Sequence, residues 1–121
     1  MKRGEIWTVA GGPDNAGKPR PAVILQDDVF DATASVTICP FTSHQMSAPL
    51  LRLAVEPSER NGLRARSELM IDKITTVSRT KLQRLVGRLS PADVVRLNRA
   101  VIVFLGLAGP VSTGRQDSDL R

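Results

Sequence analysis

The chain has 121 residues, of which 41% are hydrophobic, enough for one domain with a modest single core. Lys and Arg outnumber Asp and Glu by 17 to 12, and 13 of the cations are Arg, whose planar fork suits an anionic partner such as phosphate. A single cysteine, Cys39, and a single histidine, His44, exclude an intramolecular disulfide framework and a His-rich metal cluster.

The first two-thirds read as short strands divided by turn chemistry. Glu5 to Ala10 is β-rich and stops at Gly11-Gly12-Pro13-Asp14-Asn15-Ala16-Gly17. Pro21 to Gln26 carries the buried run Ala22-Val23-Ile24-Leu25, and Ser35 to Phe41 is rich in β-branched residues. Leu51 to Val55 alternates around Arg52 and Ala54. Leu69 to Ile74 follows the turn signal Asn61-Gly62, and Leu85 to Leu89 forms one more short strand around Gly87.

The period then changes. Ser90-Pro91-Ala92-Asp93 is a helix start, with a serine cap, proline at the first helical position and an acid three residues after the cap. Val94, Leu97, Val101, Phe104 or Leu105, and Ala108 recur at helical spacing, so the helix should lay one apolar stripe on the sheet. Residues 1–108 form the expected domain, and 109–121, mostly Gly, Pro, Ser and charge, a flexible tail. The fold class expected is mainly β with a C-terminal helix, as a compact barrel-like sheet. No apolar stretch follows the charges of Met-Lys-Arg-Gly-Glu, and the longest near-apolar run, Ala100 to Ala108, falls far short of the ~20 residues that cross a bilayer. The expected compartment is therefore the cytoplasm, with no membrane partner.

Charge is unevenly placed. Residues 52–99 hold eleven Lys/Arg against five Asp/Glu, which reads as a nucleic-acid surface or as an ordinary solvated face. The chain has no Gly-x-Ser-x-Gly elbow and no Lys-Ser or Lys-Thr after a glycine loop. A basic protein without these parts can still cut RNA, whose own 2'-OH attacks the adjacent phosphate once aligned. The protein need only hold the geometry, move protons and neutralise the extra charge on phosphorus oxygens. No cofactor is implied.

Two segments can supply these parts. In Gly17-Lys18-Pro19-Arg20-Pro21 two prolines restrict the backbone around Arg20, which is either an anion ligand or a solvated loop residue. In Pro40-Phe41-Thr42-Ser43 two hydroxyls close a strand, and either bind a phosphate oxygen or cap a turn. His44 is suited to proton transfer or to RNA contact. Cys39, Trp7, Met46 and Met70 read as packing residues.

Lys2-Arg3-Gly4-Glu5-Ile6-Trp7, Arg20-Pro21-Ala22-Val23-Ile24-Leu25, Pro40-Phe41-Thr42-Ser43 and Ile71-Asp72-Lys73-Ile74-Thr75-Thr76-Val77 resemble, in order and spacing, the successive blocks of MazF/PemK toxins. The resemblance runs from about residue 2 to residue 107. It implies a homodimer with a CcdB-like, SH3-like barrel that cleaves single-stranded RNA at short sequences without metal, leaving 2',3'-cyclic phosphate and 5'-OH ends, and that a small antitoxin inhibits. By that resemblance Arg20 stabilises the phosphorane and can pass a proton to the leaving oxygen, and Thr42 holds the scissile phosphate with Ser43 as a neighbour; Lys18, Ser43, His44, Asp72 and Lys73 are the substrate-binding candidates. The chain departs from the pattern at Pro19, where several members have His, and at Lys73 and Thr75, where the family has Gln and Arg. The general base is thus open, with Asp14 and Glu68 as candidates. Two alternatives stand beside this reading: a CcdB-like gyrase poison, against which the Gly114-to-Arg121 ending argues, and a catalytically inactive RNA-binding module.

Overall fold

A computed structural model describes residues 1–11, 18–44 and 51–109. Asp14, Met46, most of the two loops that contain them, and the expected tail beyond Gly109 lie outside the described residues.

The β-branched runs form seven strands: β1 (Glu5–Val9), β2 (Arg20–Ile24), β3 (Ser35–Thr42), β4 (Arg52–Val55), β5 (Ser67–Met70), β6 (Thr75–Ser78) and β7 (Leu82–Arg88). All pairs are antiparallel, in the order β4-β5-β3-β2-β1-β7, with β6 also on β3. β3 is the hub. Its residues Ser35 to Ile38 pair with β6, and Phe41 and Thr42 pair with β5. Pro40, which has no N–H to give, falls where the partner changes.

Side chains alternate across a strand, so the two faces of the sheet carry separate apolar sets. One gathers Ile6, Val23, Cys39, Phe41, Val55, Leu69, Ile71 and Leu89 against Leu97 of the helix. The other gathers Val9, Ala22, Ile24, Val36 and Ile38, with Trp7, Val77 and Leu82 packed against them. The fold class is as expected, mainly β with a C-terminal helix. The sheet stops short of a closed barrel, because its end strands β4 and β7 do not pair with each other.

Helix α1 (Pro91–Phe104) begins as its sequence dictates: the Ser90 hydroxyl accepts the Asp93 N–H at 3.1 Å and Pro91 opens the first turn. Leu97 is buried, and Val94, Ala100 and Val101 pack on the main cluster. The expected stripe fails at its far end. Phe104 and Leu105 are 44% and 56% exposed, because the last turn has no strand beneath it.

Two strand expectations also shift. The expected strand Leu69 to Ile74 is instead β5, a 3-10 turn at Ile71–Lys73, and then β6. The turn sends Ile71 into the core, with its N–H bonded to the Leu51 carbonyl at 2.9 Å, and frees the next residues to pair with β3. β7 starts at Leu82 rather than Leu85, since Val9 of β1 offers Leu82 a partner. Among the described residues no helix is long and apolar enough to cross a membrane.

Cys39 is fully buried, and burial, followed by the nearby Asp72 carboxylate, pushes its thiol up to about 12. The folded chain should therefore resist thiol-disulfide reagents at pH 8 and react fully once unfolded in urea, as a colorimetric thiol count would show. The linkage has a definite sign. The folded state keeps a proton that the unfolded thiol loses from its ordinary value of 9.0 upward, so this contribution to stability is complete below that pH and is lost as pH climbs toward about 12.

Candidate active site

Strand register assembles the site. β1 pairs Val9 with Arg20, so Arg20 is the first residue held by the sheet after the loop. The β2–β3 pairing ends at Ala22 with Pro40; carrying that register on by two residues would bring Arg20 level with Thr42. On the other side of β3, Thr42 pairs with Glu68, and Glu68 with Ala54 of β4. Thr42 and Glu68 are thus a cross-strand pair, and Arg20 stands at the adjoining end of β2, which makes a row across three strand ends. They point to one face, because Arg20 alternates with Ala22 and Ile24, and Thr42 with Pro40 and Ile38.

Exposure grades along that row. Arg20 is exposed, Thr42 half-buried, and Glu68 only 6% exposed; among the described residues Glu68 is the one buried charged side chain. The Thr42 hydroxyl accepts the His44 N–H at 3.1 Å, closing a turn at the strand end. Its own hydrogen stays available for donation. The turn and anion readings of Thr42 are therefore compatible. Ser43 and His44 follow it on the surface.

Asp72 sits in the 3-10 turn after β5, and its carboxylate is taken by the Arg52 guanidinium. Arg52 keeps only 9% of its side chain exposed and also donates to the Leu51 carbonyl at 3.2 Å. This pair braces the β4–β5 end of the sheet, and a part-buried pair of this kind is costly to break from one side. Lys73, beside it, is exposed, as is Lys18 two residues before Arg20. Among the described residues no three His, Cys, Asp or Glu side chains gather as a metal cluster would.

The arginines of the basic surplus divide into three groups. Arg3, Arg60, Arg79 and Arg96 clamp backbone carbonyls of Leu25, Leu89, Thr33 and Ala54. Arg52 and Arg66 join acids. Among the described residues the guanidinium groups of Arg20, Arg64, Arg84, Arg88 and Arg99 have no such partner. Sequence reasoning could count the cations but not sort them, since the sorting depends on contacts such as Arg79 reaching 46 residues back to Thr33. It also named Glu68 only as a possible base, and the signal for its placement is the long-range β3–β5 register.

Residues 2–105 match the family described as a PemK-like, MazF-like toxin of type II toxin-antitoxin system. A probable endoribonuclease MazF from Mycolicibacterium smegmatis is 56% identical over 109 residues, covering 90% of this chain and all of that protein. An endoribonuclease in complex with its cognate antitoxin, from Mycobacterial species, superposes with a TM-score of 0.76 at 24% identity, over 91% of this chain and 99% of that one. The MazE-MazF complex from Deinococcus radiodurans gives a TM-score of 0.69 at 15% identity, over 88% and 97%. At these identities the two structures speak to the fold alone.

Proposed function

From the premise that the chain belongs to the PemK-like, MazF-like toxin family of type II toxin-antitoxin systems, we propose that it is a metal-independent, sequence-specific endoribonuclease acting on single-stranded RNA in the cytoplasm. The observation that carries this reading is the Arg20–Thr42–Glu68 row: a free guanidinium, a hydroxyl and a carboxylate across neighbouring strand ends.

The 2'-OH of the cleaved nucleotide forms a bond to the adjacent phosphorus, and the bond from phosphorus to the 5'-oxygen of the next nucleotide breaks. The products are a 2',3'-cyclic phosphate and a 5'-OH. Arg20 faces the non-bridging oxygens, where its fork neutralises the charge that builds up. Thr42 donates its hydroxyl to the same phosphate and fixes its place. Glu68 takes the proton of the attacking 2'-OH, the departing 5'-oxygen takes one from water, and the hydroxide left behind takes back the proton from Glu68, which resets the carboxylate. Lys18, Ser43, His44 and Lys73 line the approach of the RNA, and Asp72, held by Arg52, steadies the turn beside Lys73. A single cysteine and a single histidine supply too few soft ligands for a typical zinc site.

Two partners follow. The uncovered end of α1, with Ile102, Phe104, Leu105 and Leu107 all exposed, suits burial against a second copy as a homodimer. The unpaired arginines suit an acidic, flexible antitoxin segment that competes with RNA.

The deciding experiment incubates the chain with total RNA in EDTA and maps the cut ends. Cuts ending in 2',3'-cyclic phosphate are expected. RNA that is bound but never cut would replace this reading with that of an inactive RNA-binding module. Glu68→Gln keeps the shape and removes the base, and should slow cleavage by roughly 10²–10⁴-fold; a variant as fast as wild type would move the base elsewhere.

A further inference from the structure

Two of the five partnerless arginines, Arg64 and Arg84, line one place. A depression of about 330 Å³ is lined by Thr8, Pro19, Pro21, Leu63, Arg64, Ser67, Arg84 and Val86, among others. Pro19 and Pro21 flank Arg20, and Ser67 precedes Glu68. The depression therefore lies one residue step, about 3.8 Å along the backbone, from two members of the cross-strand row.

We propose that this depression is a nucleotide subsite, holding the RNA unit next to the one that is cut. The inference rests on the endoribonuclease reading and adds a residue set to it. Thr8 pairs with Pro21 on one side and Arg84 on the other, so these three form a row on the sheet face opposite Arg20. Arg20 begins β2, and a strand of RNA bent over that end of the sheet touches Arg20 on one face and Arg84 on the other.

The lining is what a nucleotide needs. Leu63 and Val86 rest on the main core and give a firm apolar floor, and the proline rings give flat walls against which a base can stack. Arg64 and Arg84 offer two uncommitted forks for a phosphodiester, or guanidinium planes for stacking. The Thr8 hydroxyl accepts the Arg84 N–H at 3.1 Å, which fixes the root of that arginine beside the cavity. The Thr8 hydroxyl keeps its hydrogen for a base edge or a 2'-OH, while the Ser67 hydroxyl donates to the Ala65 carbonyl at 3.0 Å and offers its oxygen as an acceptor. An acidic peptide would use the same forks, but would leave the flat apolar floor unexplained.

The test uses an oligonucleotide carrying the sequence that wild type cuts, with a 2'-O-methyl group at the cleaved nucleotide so that it binds but cannot react. The Arg64→Ala/Arg84→Ala double variant should bind it at least about tenfold more weakly, and its logarithmic salt slope should be shallower by about 1.4, or 0.7 for each lost phosphate contact. Trimming the oligonucleotide on the side that enters the depression should erase the difference between variant and wild type. On cleavable RNA the loss should fall on KM, with kcat kept. The Arg88→Ala/Arg99→Ala double variant removes the same charge from outside the depression and should keep its sensitivity to trimming. Equal affinity and salt slope for wild type and the Arg64→Ala/Arg84→Ala variant, on full and trimmed oligonucleotides alike, would overturn the subsite while wild-type cleavage left the enzyme reading standing. A wild-type chain that cuts no RNA fails the enzyme reading and removes the subsite with it.

Discussion

Arg20→Ala should cleave RNA roughly 10²–10³-fold more slowly than wild type while unfolding at the same temperature, the loss being that of a preorganised donor for the transition-state charge. The combination follows from the side chain's surroundings. Arg20 is exposed, and among the described residues nothing pairs with its guanidinium, so its removal leaves no buried group stranded. Its backbone stays where β1 and the two prolines hold it. Arg20→Lys should recover only part of the rate, because an ammonium places a point charge where the phosphorane offers two oxygens. Single-turnover kinetics on a defined RNA, beside a thermal melt, separates the outcomes. A fully active Arg20→Ala chain would take the charge-stabilising role away from this residue, and a drop in melting temperature would give Arg20 a structural task instead.

How far such a site can be read from sequence depends on the range of the contact that makes it. The Ser90-Pro91-Ala92-Asp93 cap is written in four adjacent residues, and the structure shows the Ser90 cap and the Pro91 start, with the Asp93 carboxylate turned to Arg96. Arg20 and Thr42 stand in short blocks whose order is visible, so they could be named. Their alignment with Glu68 could not, since it depends on where β3 exchanges β6 for β5, between Ile38 and Phe41. β6 itself was hidden in plain composition: Thr75-Thr76-Val77 is β-branched, but it follows Ile71 so closely that the run reads as one strand. The helix shows the converse. Its periodicity continues to Phe104 and beyond, yet periodicity says nothing about where the sheet ends beneath it. Arginine is the least legible of all, because a clamp on a distant carbonyl and a free ligand for phosphate are spelled with the same letter.

Gly87→Ala should lower the melting temperature by on the order of 15 °C, from an overpacking cost of about 3 kcal/mol at the top of the usual range. A Cβ at Gly87 would lie 2.5 Å from the Arg60 carbonyl oxygen and from the carbonyl carbon and oxygen of Asn61. All three are backbone atoms, so no rotamer change relieves the clash. The strand cannot retreat, for Gly87 is paired with Ile6 in β1. The turn cannot retreat cheaply either. Asn61 is buried, and its side-chain oxygen accepts the N–H groups of Ser58 and Leu63 while its amide donates to the Glu56 carbonyl. The Arg88 N–H ties the same turn back to the Arg60 carbonyl at 3.0 Å. This close approach also sets Gly62 to Arg64 against β7 at Val86, where they frame the proposed nucleotide subsite. Function and stability should therefore fall together in this variant, unlike Arg20→Ala. Asn61→Ala frees the turn at its own cost, so the double variant Asn61→Ala/Gly87→Ala should lose less than the sum of the two single losses. Strict additivity in a denaturant melt would mean that the turn and the strand do not hold each other, and an unchanged Gly87→Ala midpoint would mean that the turn gives way freely.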